Sequence, residues 1–130
     1  MAAMAFREPN QVKWMGIRPG RNGTQIANSS SANNSTTVMW TVSAGKTGFL
    51  TYFSFSWRFT ATGQTVWLVV RNAADVEQYS LILVASGAGD QGANSCAFAF
   101  PIEIPAGYDI AVVSDTAGAA AKATIIGWEE

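Results

Sequence analysis

The chain has 130 residues, the length of one domain; 48% of them are apolar and only 13% charged, with 34 Ser, Thr, Asn and Gln in place of the missing charge. A net charge of −1 argues against nucleic acid or an anionic membrane as partner. The absence of histidine excludes His-based triads and zinc sites, and the lone Cys96 excludes an internal disulfide framework. No apolar run reaches the ~18–20 residues that span a bilayer, and the start, Met-Ala-Ala-Met-Ala-Phe-Arg, lacks the basic head and long apolar stretch of a signal peptide.

Residues 1–11 read as an N-terminal arm with two apolar anchors, Met4 and Phe6, ahead of Pro9. Residues 12–130 then form one domain. A first strand is expected over 12–17, ended by Arg18-Pro19-Gly20. Residues 22–37 are almost wholly small and polar, with Ile26 their only large apolar side chain. They read as a long loop or an extended polar strap.

From Val38 onward the apolar period is two. Phe49, Thr51, Phe53, Phe55, Trp57 and Phe59 share one face of their run, and Val66, Leu68 and Val70 share one face of the next. Cys96, Phe98, Phe100, Ile102 and Ile104 alternate against Ser95, Ala97, Ala99, Pro101 and Glu103. The first set therefore points into the core, and Phe100→Ala is expected to cost roughly 3–5 kcal/mol. Turn signals separate the runs and give eight strands at 12–17, 37–43, 47–60, 64–71, 76–85, 95–104, 108–114 and 121–128. The 47–60 run is long enough to bend or carry a bulge and so serve two sheets. No helix survives beside them. The fold class is an all-β antiparallel sandwich, jelly-roll-like.

The chemical motifs are weak. Gly87-Ala88-Gly89-Asp90-Gln91-Gly92 fits a dinucleotide fingerprint in spelling, but a strand follows where a helix is required, so it reads as a loop. Gly45-Lys46-Thr47 lacks both the earlier glycine and the later helix of a phosphate loop. Four N-x-[ST] triplets, at Asn22, Asn28, Asn33 and Asn34, follow from composition. Asp75, Glu77, Asp90, Asp109 and Asp115 sit at strand ends and read as turn formers rather than metal ligands. Serines lack an activating base, and Cys96 lies on an apolar face. The expectation is a chain with no catalytic residues, cofactor or metal.

The tryptophans divide by phase. Trp40 and Trp57 fall with the core residues. Trp67 and Trp128 fall out of phase with their apolar neighbours and are expected to be exposed at an interface. With Tyr79 they would alternatively form a sugar-stacking platform.

Two phrases, Thr41-Val42-Ser43-Ala44-Gly45-Lys46-Thr47-Gly48-Phe49-Leu50 and Ile102-Glu103-Ile104-Pro105-Ala106-Gly107-Tyr108-Asp109-Ile110, share a strand, a tight Ala-Gly turn and a strand. Over residues 36–128 the pattern resembles small jelly-roll virion proteins of tailed bacteriophages, such as head decoration proteins and fibre or baseplate modules. Similar turns occur in trimeric jelly rolls related to tumour necrosis factor. The resemblance implies a non-enzymatic virion protein that decorates or cements a capsid, most often as a homotrimer. Its partners would be sister subunits or a capsid protein, with Met4, Phe6, Trp67 and Trp128 at the contacts. The alternative is a carbohydrate-binding or receptor-binding module of a tail fibre.

Overall fold

The computed structural model describes residues 23–87 and 91–130. These form eight strands: β1 Thr24–Asn33, β2 Ser35–Thr41, β3 Gly48–Arg58, β4 Thr65–Arg71, β5 Glu77–Ala85, β6 Gln91–Ile104, β7 Asp109–Ser114 and β8 Ala120–Glu129. One sheet has the order β1-β8-β3-β6 and the other β2-β7-β4-β5, with every recorded pair antiparallel. Strand pairs are thus nested within a sheet, first with last and fourth with fifth, which is the order of a jelly roll.

Alternation builds the core. Val66, Leu68 and Val70 of β4, Ile110 and Val112 of β7, and Phe53 and Phe55 of β3 meet Ala121, Ala123 and Ile125 of β8. Each fully buried Leu, Ile, Val or Phe side chain contributes about 1.5–3 kcal/mol relative to exposure. Trp40 is buried among them and Trp57 packs half-buried against them, as their phase predicts.

The turns follow the sequence signals. Lys46 N–H donates to Ser43 C=O at 3.1 Å, and Tyr108 N–H donates to Pro105 C=O at 3.1 Å. Gly45 (φ 74°) and Gly107 (φ 79°) supply the positive φ that a type II turn needs at its third residue. The two turns sit side by side, because Gly107 N–H donates to Val42 C=O and Val42 N–H to Tyr108 C=O, both at 2.9 Å. The two similar phrases of the sequence are therefore neighbouring corners of the sandwich.

Three expectations need correction. Residues 24–33 are not a strap but strand β1, paired in full register with β8 from Thr24↔Glu129 to Asn33↔Ala120, while 35–37 begin β2. Pairing with β8 satisfies the backbone groups on one side of this polar edge strand, and Ile26 and Ala32 add an inward face.

Secondly, β3 carries the expected bulge but stays within one sheet instead of serving two, and its inward face changes at the bulge. Leu50 faces Gly127 and Tyr52 faces Ile126, so Thr51 is an extra residue, buried, with Oγ1 donating to Ile126 C=O at 3.0 Å. The bulge inverts the phase of the strand, and Phe49 lies on the opposite face from Phe53 and Phe55. Thirdly, the same point opens β6. Leu50 faces Ile102 and Tyr52 faces Ala97, so Phe98 to Pro101 stand opposite Thr51 alone. Cys96, Phe98, Ile102 and Ile104 still touch the core, with Phe98 6.0 Å from Phe53 between ring centroids. Phe100 does not, and is 74% exposed. Ala97, Ala99 and Glu103 face outward as expected. The expected 12–17 strand and the arm lie outside the described residues.

The bulge reassigns the energetics. Phe55→Ala should cost about 3–5 kcal/mol and Phe100→Ala less than about 1 kcal/mol, measured by urea denaturation of the two variants.

Candidate assembly surfaces

Because Val66, Leu68 and Val70 point inward, Trp67, Val69 and Arg71 of β4 must point outward. Trp67 faces outward as its phase requires but is half-buried rather than fully exposed. Its indole N–H donates to Glu77 at 3.3 Å, and the ring packs with Val69, Ala111 and Val113, which are themselves buried. Val38 on β2 stands opposite Ala111 and Leu83 on β5 stands opposite Trp67; they are 46% and 57% exposed. The outward face of the β2-β7-β4-β5 sheet is therefore apolar from one edge strand to the other.

This apolar band ends at an ion pair. Arg71 Nε and Nη2 donate to the two Asp109 carboxylate oxygens at 2.8 and 2.7 Å, and Asp75 lies 3.4 Å from the same guanidinium. Hydrogen bonding to Asp109 raises the Arg71 pKa against the effect of burial. Asp109, read from sequence as a turn former, is instead a buried partner that pins β7 to β4. Asp75 (φ 61°) does occupy a turn, and Asp115 accepts from Thr65 N–H at 3.2 Å.

Trp128 corrects another expectation. It does face away from Ile125, on the outer side of β8, but it is only 1% exposed and stacks on Phe49 with centroids 4.9 Å apart. The β3 bulge puts Phe49 there, so two residues of opposite apparent phase become a stacked pair. A buried indole is not a sugar platform. Tyr79 remains 44% exposed on edge strand β5. Met4 and Phe6 lie outside the described residues.

Beside Trp128, Glu129 turns inward and is buried. It accepts from Trp40 Nε1 at 3.2 Å, from Ser43 N–H at 3.1 Å and from the Ser43 hydroxyl. Burial opposes its charge, but the Ser43 hydroxyl and amide, the Trp40 indole and the Lys46 charge hold its carboxyl below the usual range. Sequence reading missed this residue; the signal is its even spacing from Ile125 along β8.

Among the described residues no three His, Cys, Asp or Glu side chains cluster to hold a metal ion, and Cys96 is a half-buried free thiol. No family model and no curated protein matches the chain. Among solved structures, a chain from work titled "Bacillus endospore appendages form a novel family of disulfide-linked pili" is similar at 10% identity. The match covers 82% of this chain and 84% of that one, with a TM-score of 0.35.

Glu129 gives the structure an acid-sensitive element. Its folded pKa is depressed, so its stabilisation is present above the unfolded value of ~4.3 and is lost as pH falls through the lower folded value. Glu129→Gln should cost about 1–3 kcal/mol at neutral pH and flatten the loss of stability below pH ~4.3, read from thermal melts across a pH series.

Proposed function

We propose that this chain is a non-enzymatic structural subunit that decorates or cements a phage-like capsid, acting through subunit–subunit contacts as a homotrimer. The observation that carries this reading is the apolar outward face of the β2-β7-β4-β5 sheet. Trp67, Val69, Ala111 and Val113 form its buried floor, and Val38 and Leu83 stand exposed on either side. Exposed apolar side chains flanking a buried apolar floor, on a surface poor in charge, suit contact with another protein surface better than contact with water.

The jelly roll supplies a rigid body for such a contact, and its four edge strands, β1, β2, β5 and β6, add backbone groups that a neighbour can pair with. The proposed arm at 1–11, with Met4 and Phe6, would extend the contact to a sister subunit or to a capsid protein. The reading assigns no catalytic mechanism to the chain. A virion protein made in the host cytoplasm is the setting that this reading implies.

Light scattering of the full chain at micromolar concentration tests the reading. The expected mass is three times the 13.8 kDa of one chain. Leu83→Asp with Val38→Asp should shift the mass to that of a single chain and abolish co-sedimentation with particles. The β-sheet circular dichroism should be unchanged, because both positions are exposed. A wild-type monomer that also fails to sediment with particles would overturn it.

A further inference from the structure

The outward face of the other sheet, β1-β8-β3-β6, has a different chemistry. Its register aligns Ser29, Thr124, Ser54 and Ser95 in one row across all four strands, with strands about 4.8 Å apart. Ser29 and Thr124 hydroxyls are 2.7 Å apart. The next row is Ser31, Lys122, Ser56 and Ala93, and the row after it Asn33, Ala120, Arg58 and Gln91.

Arg58 and Lys122 are thus diagonal neighbours on adjacent antiparallel strands, a separation of roughly 7–8 Å. Both are exposed, and among the described residues neither takes part in an ion pair or hydrogen bond. Among the described residues, the acids at this sheet's outer side, Glu103 and Glu130, are at the far end. Glu103 stands opposite Phe49, in the row of Trp128, six residues along β8 from Lys122 and so about 20 Å away. That distance exceeds the screening length at physiological salt.

Two depressions, of about 510 and 400 Å³, share Ser56 and Lys122. The first is lined by Tyr52, Ser54, Ser56, Ser95, Lys122 and Thr124, and the second includes Arg58 and Ser31. Two like charges without a counter-ion among the described residues repel, and an anion placed between them converts that repulsion into two charge-assisted hydrogen bonds. The hydroxyls beside them donate and accept, as sugar hydroxyls do, and Tyr52 offers a ring with a polar tip for the face of a pyranose. Bare phosphate would leave the hydroxyl row and the tyrosine unused. A polyanion such as nucleic acid would need more than two cations on a chain of net charge −1.

We propose that this face binds an acidic saccharide, its carboxylate or sulfate held between Arg58 and Lys122 and its neutral ring along Ser54, Ser56, Thr124 and Tyr52. The site goes beyond the assembly reading and uses the opposite sheet.

Isothermal titration of the full chain with tri-galacturonate, a sulfated galactose trimer, the neutral galactose trimer and inorganic phosphate tests the proposal. One of the acidic trimers should bind at least about tenfold more tightly than both the neutral trimer and phosphate, and which one wins tells carboxylate from sulfate. Lys122→Gln and Arg58→Gln should each weaken that binding about tenfold. Ser54→Ala should weaken it about two- to threefold, with melting temperatures unchanged in all three. Equal binding of acidic and neutral trimers, phosphate binding as tightly as the trimers, unchanged affinity in Lys122→Gln, or no binding by any probe would each overturn it.

Discussion

One extra residue in β3, Thr51, is the constraint on which the packing of the larger aromatic side chains depends. Up to Leu50 the strand turns its even positions inward, and from Phe53 its odd ones. Phe53 and Phe55 enter the core while Phe49 is sent to the outer face to stack on Trp128. The bulge is held by the Thr51 hydroxyl on Ile126 C=O and by the bare backbone of Gly127, where an added Cβ would lie 2.3 Å from Phe49 C=O. On the other side of the strand, β6 answers the same bulge with extra residues, Phe98 to Pro101, that have no partner in the β3 register. A bulge bends its strand and increases the local twist, so one residue shapes both neighbours.

The nested order of the strands makes the closing step non-local. β1 has no partner in its sheet until β8, the last strand, is made and inserted between β1 and β3. The end of β8 is then tied into the β2–β3 turn: Glu129 binds Trp40 and Ser43, and Thr47 and Glu130 exchange backbone hydrogen bonds at 2.9 and 3.1 Å. Buried charge is tolerated there because it is met by several donors at once, as at Asp109, where the Arg71 fork satisfies both carboxylate oxygens. Loss of either partner would leave a charge without compensation in a site water reaches poorly.

The two outer faces differ because each inherits the residues its inner pattern rejects. In the β2-β7-β4-β5 sheet both faces of β4 and β7 are apolar, since Val69, Ala111 and Val113 occupy positions where a sandwich strand ordinarily carries polar groups. In the β1-β8-β3-β6 sheet the rejected residues are Ser, Thr, Lys and Arg toward one end and Phe49, Tyr52, Ile126 and Trp128 toward the other. One sheet thus presents a surface suited to a protein neighbour and the other, toward one end, a polar surface with a pair of cations, while the rigid core between them serves both.

Period-two alternation and Ala-Gly turn signals made the fold class and seven of the eight described strands legible, because both are local properties of the chain. Trp67 was legible as an outward residue for the same reason. Strand β1 was not, because a run of Asn, Ser and Thr has no apolar pattern of its own and becomes a strand only when β8 offers a partner. Alternation misplaced Phe100, because β6 carries extra residues opposite the β3 bulge, while Trp128, rightly put on the outer face, is buried there because the bulge sets Phe49 against it. The Arg58–Lys122 pair and the four-hydroxyl row were also out of reach, since the residues that meet there come from strands far apart in sequence. Periodicity determined which residues alternate; the pairing register between distant strands decided which of them face the core and which meet on an outer face.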